Sequence, residues 1–307
     1  MIDAFITYIE AEKRYSPLTV RNYRHDLEAF AEWWCRRHGE ETLDFDVTRL
    51  CEEDMREWIM QRICDGGISA ASMNRELSTL RSFMRFMRKK GVVDHDLFKR
   101  IAALKTPKRL PDFVPETRME HVLENLREES LAPSLREQRN ALIVSLFYGS
   151  GIRLAELHGI TLGDLSDGYT TLRVRGKGDK ERIIPLLPEL SRRIALYMDT
   201  VRQEGIFTTE SMPLIITEQG RALARSTIQR IVGRELRRAN ITGKASPHIL
   251  RHTFATHLLN RNADMRDIQE LMGHSSLKTT QHYTHNSITQ LQHIYNQAHP
   301  HGAKQQI

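Results

Sequence analysis

Ser246-Pro247-His248-Ile249-Leu250-Arg251-His252 is the stretch on which the reading of this chain turns. Serine followed by proline marks a helix start, with the serine at the cap and the proline in the first turn, where its missing N–H costs nothing. His248 then lies near the positive end of the helix dipole, and Arg251, three residues on, shares its face. Two chemistries compete for that face. His248 and His252 are spaced as on metal-binding helices, and His257, His274, His282 and His285 follow within the next thirty-odd residues. A catalytic metal needs a third ligand and an activated water, yet no Asp or Glu occurs from 244 to 263 and no cysteine is near. An imidazole beside a guanidinium fork at a helix N-terminus suits a phosphate better. For any single arginine, a structural salt bridge is the plain alternative.

Working outward, Arg153 stands directly after Gly149-Ser150-Gly151 and can supply a second guanidinium fork. The stretch Ala141 to Gly151 is the longest apolar run; bounded by Arg139 and Arg153, it is far short of a bilayer span and reads as a core helix. Helices are expected over 117–131 and 136–148. Between 171 and 186 the period changes to alternation. Thr171-Leu172-Arg173-Val174-Arg175, a turn at Gly176-Lys177-Gly178-Asp179-Lys180, and Arg182-Ile183-Ile184-Pro185-Leu186 predict a β-hairpin with Lys177 at its turn. Pro213-Leu214-Ile215-Ile216 is a candidate third strand.

The first hundred residues are helical in pattern. Ser16-Pro17 opens one helix carrying Leu27, Phe30, Trp33 and Trp34, and Ser69-Ala70-Ala71-Ser72 leads into Met73, Leu77, Leu80, Phe83, Met84 and Met87. Such stripes are core faces first. The basic, proline-broken segment Lys105-Thr106-Pro107-Lys108-Arg109-Leu110-Pro111 reads as a linker. With 307 residues, two cores are expected: 1–104, then 105–111 as linker, then 112–307.

Composition sets the class: 40% hydrophobic and 27% charged residues suit a soluble globular protein. Three scattered cysteines, no CxxC pair and no signal-like start predict a reducing, cytoplasmic setting without membrane attachment. The net charge of +6 is unevenly spread. Residues 69–110 hold eleven bases (among them Arg75, Arg81, Lys105, Lys108 and Arg109) against three acids, whereas residues 1–68 are net acidic. The run is a candidate phosphate-tracking surface, with a solvated helix face as the alternative.

Five motifs in order then carry a resemblance. Gly151-Ile152-Arg153-Leu154-Ala155-Glu156-Leu157, Gly176-Lys177-Gly178, His248-Ile249-Leu250-Arg251-His252, Leu271-Met272-Gly273-His274 and Thr279-Thr280-Gln281-His282-Tyr283-Thr284-His285 closely resemble the tyrosine recombinases of the XerC and XerD type. Ser72-Met73-Asn74-Arg75-Glu76-Leu77 is similar to their core-binding domain. Ile152, Ala155 and Asn262 depart from the commonest pattern, although Asn tolerates the left-handed conformation that glycine supplies.

The resemblance implies a mostly α fold with a small β-sheet: a helical, SAM-like core-binding domain and a mixed, mainly α catalytic domain. It implies that Arg153, Lys177, His248, Arg251 and His274 surround the scissile phosphate, that Tyr283 is the nucleophile, and that Glu156 supports the first arginine. Ser72, Asn74, Arg75, Arg81, Lys105, Lys108 and Arg109 are the corresponding DNA-binding candidates. No cofactor and no metal are implied. The implied partners are double-stranded DNA with an inverted-repeat core site, a homo- or hetero-tetramer in synapsis, and a partner recombinase or activating translocase. Ile288, Leu291, Ile294 and Tyr295 form an apolar stripe on a final helix, docked in its own domain or in a neighbour's. The chain has no room for an extra arm-binding module, which favours chromosome- or plasmid-dimer resolution. A mobile-element integrase or invertase, a type IB topoisomerase and a catalytically silent architectural protein are the rival readings.

Overall fold

The computed structural model describes residues 1–41, 45–106, 113–176, 180–241 and 245–273. The chain divides into two compact units, Met1–Lys108 and Arg109–Ile307.

The first unit is built from α1 (Ile2–Thr7, continuing as a wider turn through Glu12), α2 (Pro17–His38), α3 (Glu52–Cys64) and α4 (Ala70–Lys89). Capping follows the expected chemistry: Ser16 Oγ accepts the Thr19 N–H at the start of α2, and Ser69 Oγ accepts that of Ser72 at the start of α4. Gly39 closes α2 in the left-handed conformation. The expected stripes pack inward. Phe5, Leu27, Phe30, Trp34, Met55, Leu77 and Phe83 form one core, with Phe5 edge-on to Phe83 and Phe30 edge-on to Trp58.

The second unit centres on α6 (Leu135–Ser150), whose side chains are buried at nearly every position. It is flanked by α5 (Glu116–Leu131), α8 (Pro188–Gln203), α9 (Arg225–Arg238) and α10 (Pro247–Asn260). A helix buried at nearly every position has to be enclosed on all sides, and its polar residues need partners there: Arg139 donates to the Ile216 carbonyl. Each enclosed Leu, Ile or Phe contributes about 1.5–3 kcal/mol relative to exposure. The hairpin forms as expected, with β1 (Thr171–Arg175) antiparallel to β2 (Glu181–Pro185) and Val174 paired with Arg182. Among the described residues these are the two strands of the only sheet. The candidate strand at Pro213–Ile216 is corrected to isolated bridges, Thr161 with Pro213 and Ile216 with Ala222. The Leu214 N–H goes to the Ile160 carbonyl, and a bridge from Leu165 to Leu172 occupies the outer side of β1. The short helices α7 (Leu154–Gly159) and α11 (Met265–Met272) complete the unit. Asn262 adopts φ +62 beyond the end of α10, the conformation expected of it. No helix among the described residues is long and apolar enough to cross a membrane.

Candidate active site

The site is assembled from four segments: the start of α7 gives Arg153 and Glu156, α10 gives Arg251, β2 gives Arg182, and the end of α11 gives backbone carbonyls. α6 ends at Gly151, which has φ +61 and lies so close to the Phe254 ring that a Cβ there would meet it at 2.5 Å. Only glycine fits such a turn. The turn delivers Arg153 to the N-terminus of α7, with its side chain 38% exposed. One turn later, Glu156 points back: its Oε2 accepts the Arg153 backbone N–H at 2.8 Å, and its Oε1 accepts Arg153 Nη1 at 2.8 Å.

Arg251 comes from α10. Ser246 occupies the cap position, although its side chain makes no capping bond, and Pro247 lies in the first turn. His248 is exposed at the helix start, whereas Arg251 is buried, so the two share a face at different depths. Arg251 donates from Nη1 to the Gly151 carbonyl and from Nη2 to the Met272 carbonyl at 2.6 Å. Burial, and next the Arg153 charge, lower its pKa to about 10, which leaves it cationic at neutral pH. Farther along α10, His257 anchors the chain entering this unit. Its Nε2–H donates to the Val114 carbonyl at 2.9 Å, leaving Nδ1 to accept from Tyr148 Oη at 3.0 Å.

Arg182, absent from the sequence-derived site, is the fourth group. It lies on the inward face of β2 with Ile184, and its side chain is 6% exposed. Its Nη1 and Nη2 reach Glu156 Oε1 and Oε2 at 3.0 and 2.9 Å, and its Nε donates to the Leu271 carbonyl at 3.0 Å. The signal was present in the sequence: an arginine in register with core residues of an alternating strand must have a buried partner.

The C-terminus of α11 joins these parts. A helix end leaves carbonyls without partners and carries the negative end of the dipole. Here the Leu271, Met272 and Gly273 carbonyls accept Arg182, Arg251 and Arg153 in turn, the last from Nη2 at a longer 3.4 Å. The motif Leu271-Met272-Gly273 is therefore a cradle for three guanidinium groups. One carboxylate, Glu156, faces those three cations, and Arg153 opens to solvent at the edge of the cluster. Two positive charges in a partly buried cluster call for an anion of matching shape, and guanidinium forks suit a phosphodiester.

Lys177, His274 and Tyr283 lie outside the described residues, as do Lys108, Arg109 and the C-terminal stripe at Ile288, Leu291, Ile294 and Tyr295. Gly176 and Gly273, the immediate neighbours of Lys177 and His274, both lie beside the cluster. Among the described residues no group of three His, Cys, Asp or Glu side chains converges as metal ligands would.

In the first unit the DNA-binding candidates have definite partners. Asn74 spans the Leu104 backbone, accepting its N–H at 2.8 Å and donating to its carbonyl at 2.9 Å. Arg81 donates to the Ile101 carbonyl at 2.6 Å, and the half-exposed Arg75 is held by buried Asp26 at 2.6 Å. Ser72 shares the cap of α4, and Lys105 is exposed. A second basic face, missed from sequence, lies on α9. Ile228, Ile231, Val232 and Leu236 face inward, while Arg225, Arg230, Arg234 and Arg237 face outward. Its helical period, with arginine at the outward positions, was the available clue.

Residues 113–290 match the phage integrase family, and residues 2–91 match the N-terminal SAM-like domain of phage integrases. The tyrosine recombinase XerC of Oceanobacillus iheyensis is 35% identical over 97% of this chain and 95% of its own length. XerC of Pelobacter propionicus is 37% identical over 97% and 95%. XerD of Staphylococcus aureus is 34% identical over 98% of both. The fold is that of the XerH site-specific recombinase bound to palindromic difH substrate in a post-cleavage complex (TM-score 0.69, 21% identity, 95% of this chain and 82% of that one). It is also that of the Tn1549 transposon integrase in complex with circular intermediate DNA (TM-score 0.67, 19% identity, 94% and 97%). With its arginine cluster and its full-length kinship to XerC and XerD, the chain belongs to the phage integrase family, as a tyrosine site-specific recombinase.

Proposed function

We propose that this chain cleaves and rejoins double-stranded DNA at an inverted-repeat core site through a 3′-phosphotyrosyl intermediate, in a Xer-like role such as chromosome- or plasmid-dimer resolution. The observation that carries the reading is the cluster of Arg153, Arg182 and Arg251 around one carboxylate, open at Arg153.

In the cleavage step Tyr283 Oη attacks the phosphorus, a Tyr–O–P bond forms, and the P–O5′ bond breaks. A free phenol ionises near pH 10, so an unassisted tyrosine is a weak nucleophile at neutral pH. Arg153 and Arg251 neutralise the phosphate that would repel it and stabilise the charge that builds on the non-bridging oxygens. His248, exposed at the start of α10, and His274 add hydrogen bonds or receive the phenol proton. Lys177 protonates the leaving O5′. The phosphotyrosyl bond retains the energy of the diester, so a 5′-hydroxyl from another duplex reverses the step and regenerates the phenol without ATP.

The exposed arginines of α9, with Arg75 and Lys105 of the first unit, supply phosphate contacts. Relatives named XerC and XerD over nearly the whole chain support the dimer-resolution role, and tetrameric synapsis with a second recombinase goes with it. A nicked suicide duplex tests the chemistry. Wild-type protein gives a covalent adduct on a denaturing gel, with or without EDTA, and Tyr283→Phe gives none; an adduct with the phenylalanine variant refutes the assignment.

A further inference from the structure

We propose that Arg182 is a positioning residue of the cleavage reaction, locking the hairpin that bears Lys177 and the helix end that bears His274 against Glu156 and Arg153. This rests on the recombinase reading above and adds to it a residue that never meets DNA.

All three guanidinium nitrogens of Arg182 are taken up by the protein, both Nη by Glu156 and Nε by the Leu271 carbonyl, so it presents no free edge to a phosphate. Its guanidinium instead makes attachments in several directions. Both Nη atoms hold Glu156, whose oxygens in turn hold the backbone and side chain of Arg153. Nε holds the Leu271 carbonyl on α11. The group also lies close against Gly273, where a Cβ would come within 2.9 Å of Nη1 at a backbone φ of +64. On the hairpin, Gly176 lies beside the same ion pair: a Cβ there would stand 3.8 Å from Glu156 Oε1 and 3.9 Å from Arg182 Nη1. Lys177 and His274 are each one peptide bond from these glycines. One planar fork therefore ties the origins of two active-site segments, those of Arg153 and His274, to the hairpin that carries it and Gly176. A lysine keeps the charge but cannot span two carboxylate oxygens and a carbonyl at once.

A merely structural role would lower stability and slow every substrate alike. A positioning role has a different signature, because a 5′-bridging sulfur leaves as thiolate and needs no proton from a placed acid. The probe is a nicked suicide duplex built from the inverted-repeat sequence that wild-type protein enriches from a randomised duplex pool. It is made once with oxygen and once with sulfur at the scissile 5′ position.

For Arg182→Met and Arg182→Lys, we expect DNA binding within about threefold of wild type and cleavage of the oxygen duplex reduced about 100-fold, the scale of one misplaced acid. The sulfur duplex should lose less than about tenfold, and Lys177→Ala should show the same contrast. Equal losses on the two duplexes, or near-wild-type cleavage of the oxygen duplex, overturn the proposal. Loss of DNA binding by both Arg182 variants also overturns it, by assigning the residue to folding. Wild type and Tyr283→Phe on the same gel separate the two levels. If wild type forms no adduct, the recombinase reading itself fails; if it does and the Arg182 variants lose equally, only the positioning role fails.

Discussion

Replacing Glu156 by Gln removes one charge and keeps the shape, at the point where the arginine cluster is neutralised. The carboxylate is 4% exposed and accepts four hydrogen bonds, two from Arg153 and two from Arg182. Burial pushes its pKa up, but the hydrogen bonds and charge of Arg182, followed by the backbone and side-chain hydrogen bonds of Arg153, more than reverse this and hold it at about 2. Relative to an ordinary value of 4.5, that shift corresponds to about 3 kcal/mol of stability. Breaking a buried ion pair from one side costs about 3–5 kcal/mol, and a glutamine would in addition aim N–H groups at a guanidinium. Both routes give roughly 3 kcal/mol, equivalent to a fall of about 1–1.5 M in the urea midpoint for a unit of this size.

The sign with pH follows from a depressed carboxylate. The contribution is fully present above about pH 4.5 and is lost as pH falls toward 2, so less than about half remains at pH 3. Trp33, Trp34 and Trp58 all lie in the first unit, so tryptophan fluorescence reports that unit alone. Far-UV circular dichroism and amide exchange over 113–273 report the second. We expect the second transition to shift in Glu156→Gln while the tryptophan transition stays in place, and the gap to wild type to close below pH 4.5. A gap under about 1 kcal/mol at pH 7, or one unchanged between pH 6 and 3, would refute the account of Glu156 as the counter-ion of a buried cluster.

Gly151→Ala should destabilise the second unit by about 2–4 kcal/mol in urea melts, since its Cβ would enter the Phe254 ring at a left-handed φ, and should impair cleavage because the Gly151 carbonyl holds Arg251. Asn74→Ala should lower the tryptophan-detected stability of the first unit by about 1–2 kcal/mol through loss of the Leu104 backbone clamp, and should leave the salt dependence of DNA binding unchanged. Arg225→Ala and Arg230→Ala should do the reverse, each reducing the slope of log K against log salt by about 1 without moving either unfolding midpoint.

Periodicity and capping were enough to place α2, α4, α5, α6 and the starts of α7 and α10, together with the hairpin, because these depend on residues three or four apart, or facing one another across a turn. Motif order was enough to point to Arg153, Glu156 and Arg251, and to a tyrosine recombinase. The partners of side chains were a different matter. The sequence does not show that Asn74, a DNA-binding candidate, clamps the Leu104 backbone, or that Arg182, a residue of the predicted strand, is a hub of the site. Arg182 finds Glu156 across 26 residues of sequence and Leu271 across 89, and Arg251 finds Gly151 across 100. Local pattern tells whether a residue faces in or out. Which buried charge meets which carbonyl is decided only when distant segments pack, because an arginine taken out of water has to be paired by whatever group the fold brings within about 3 Å.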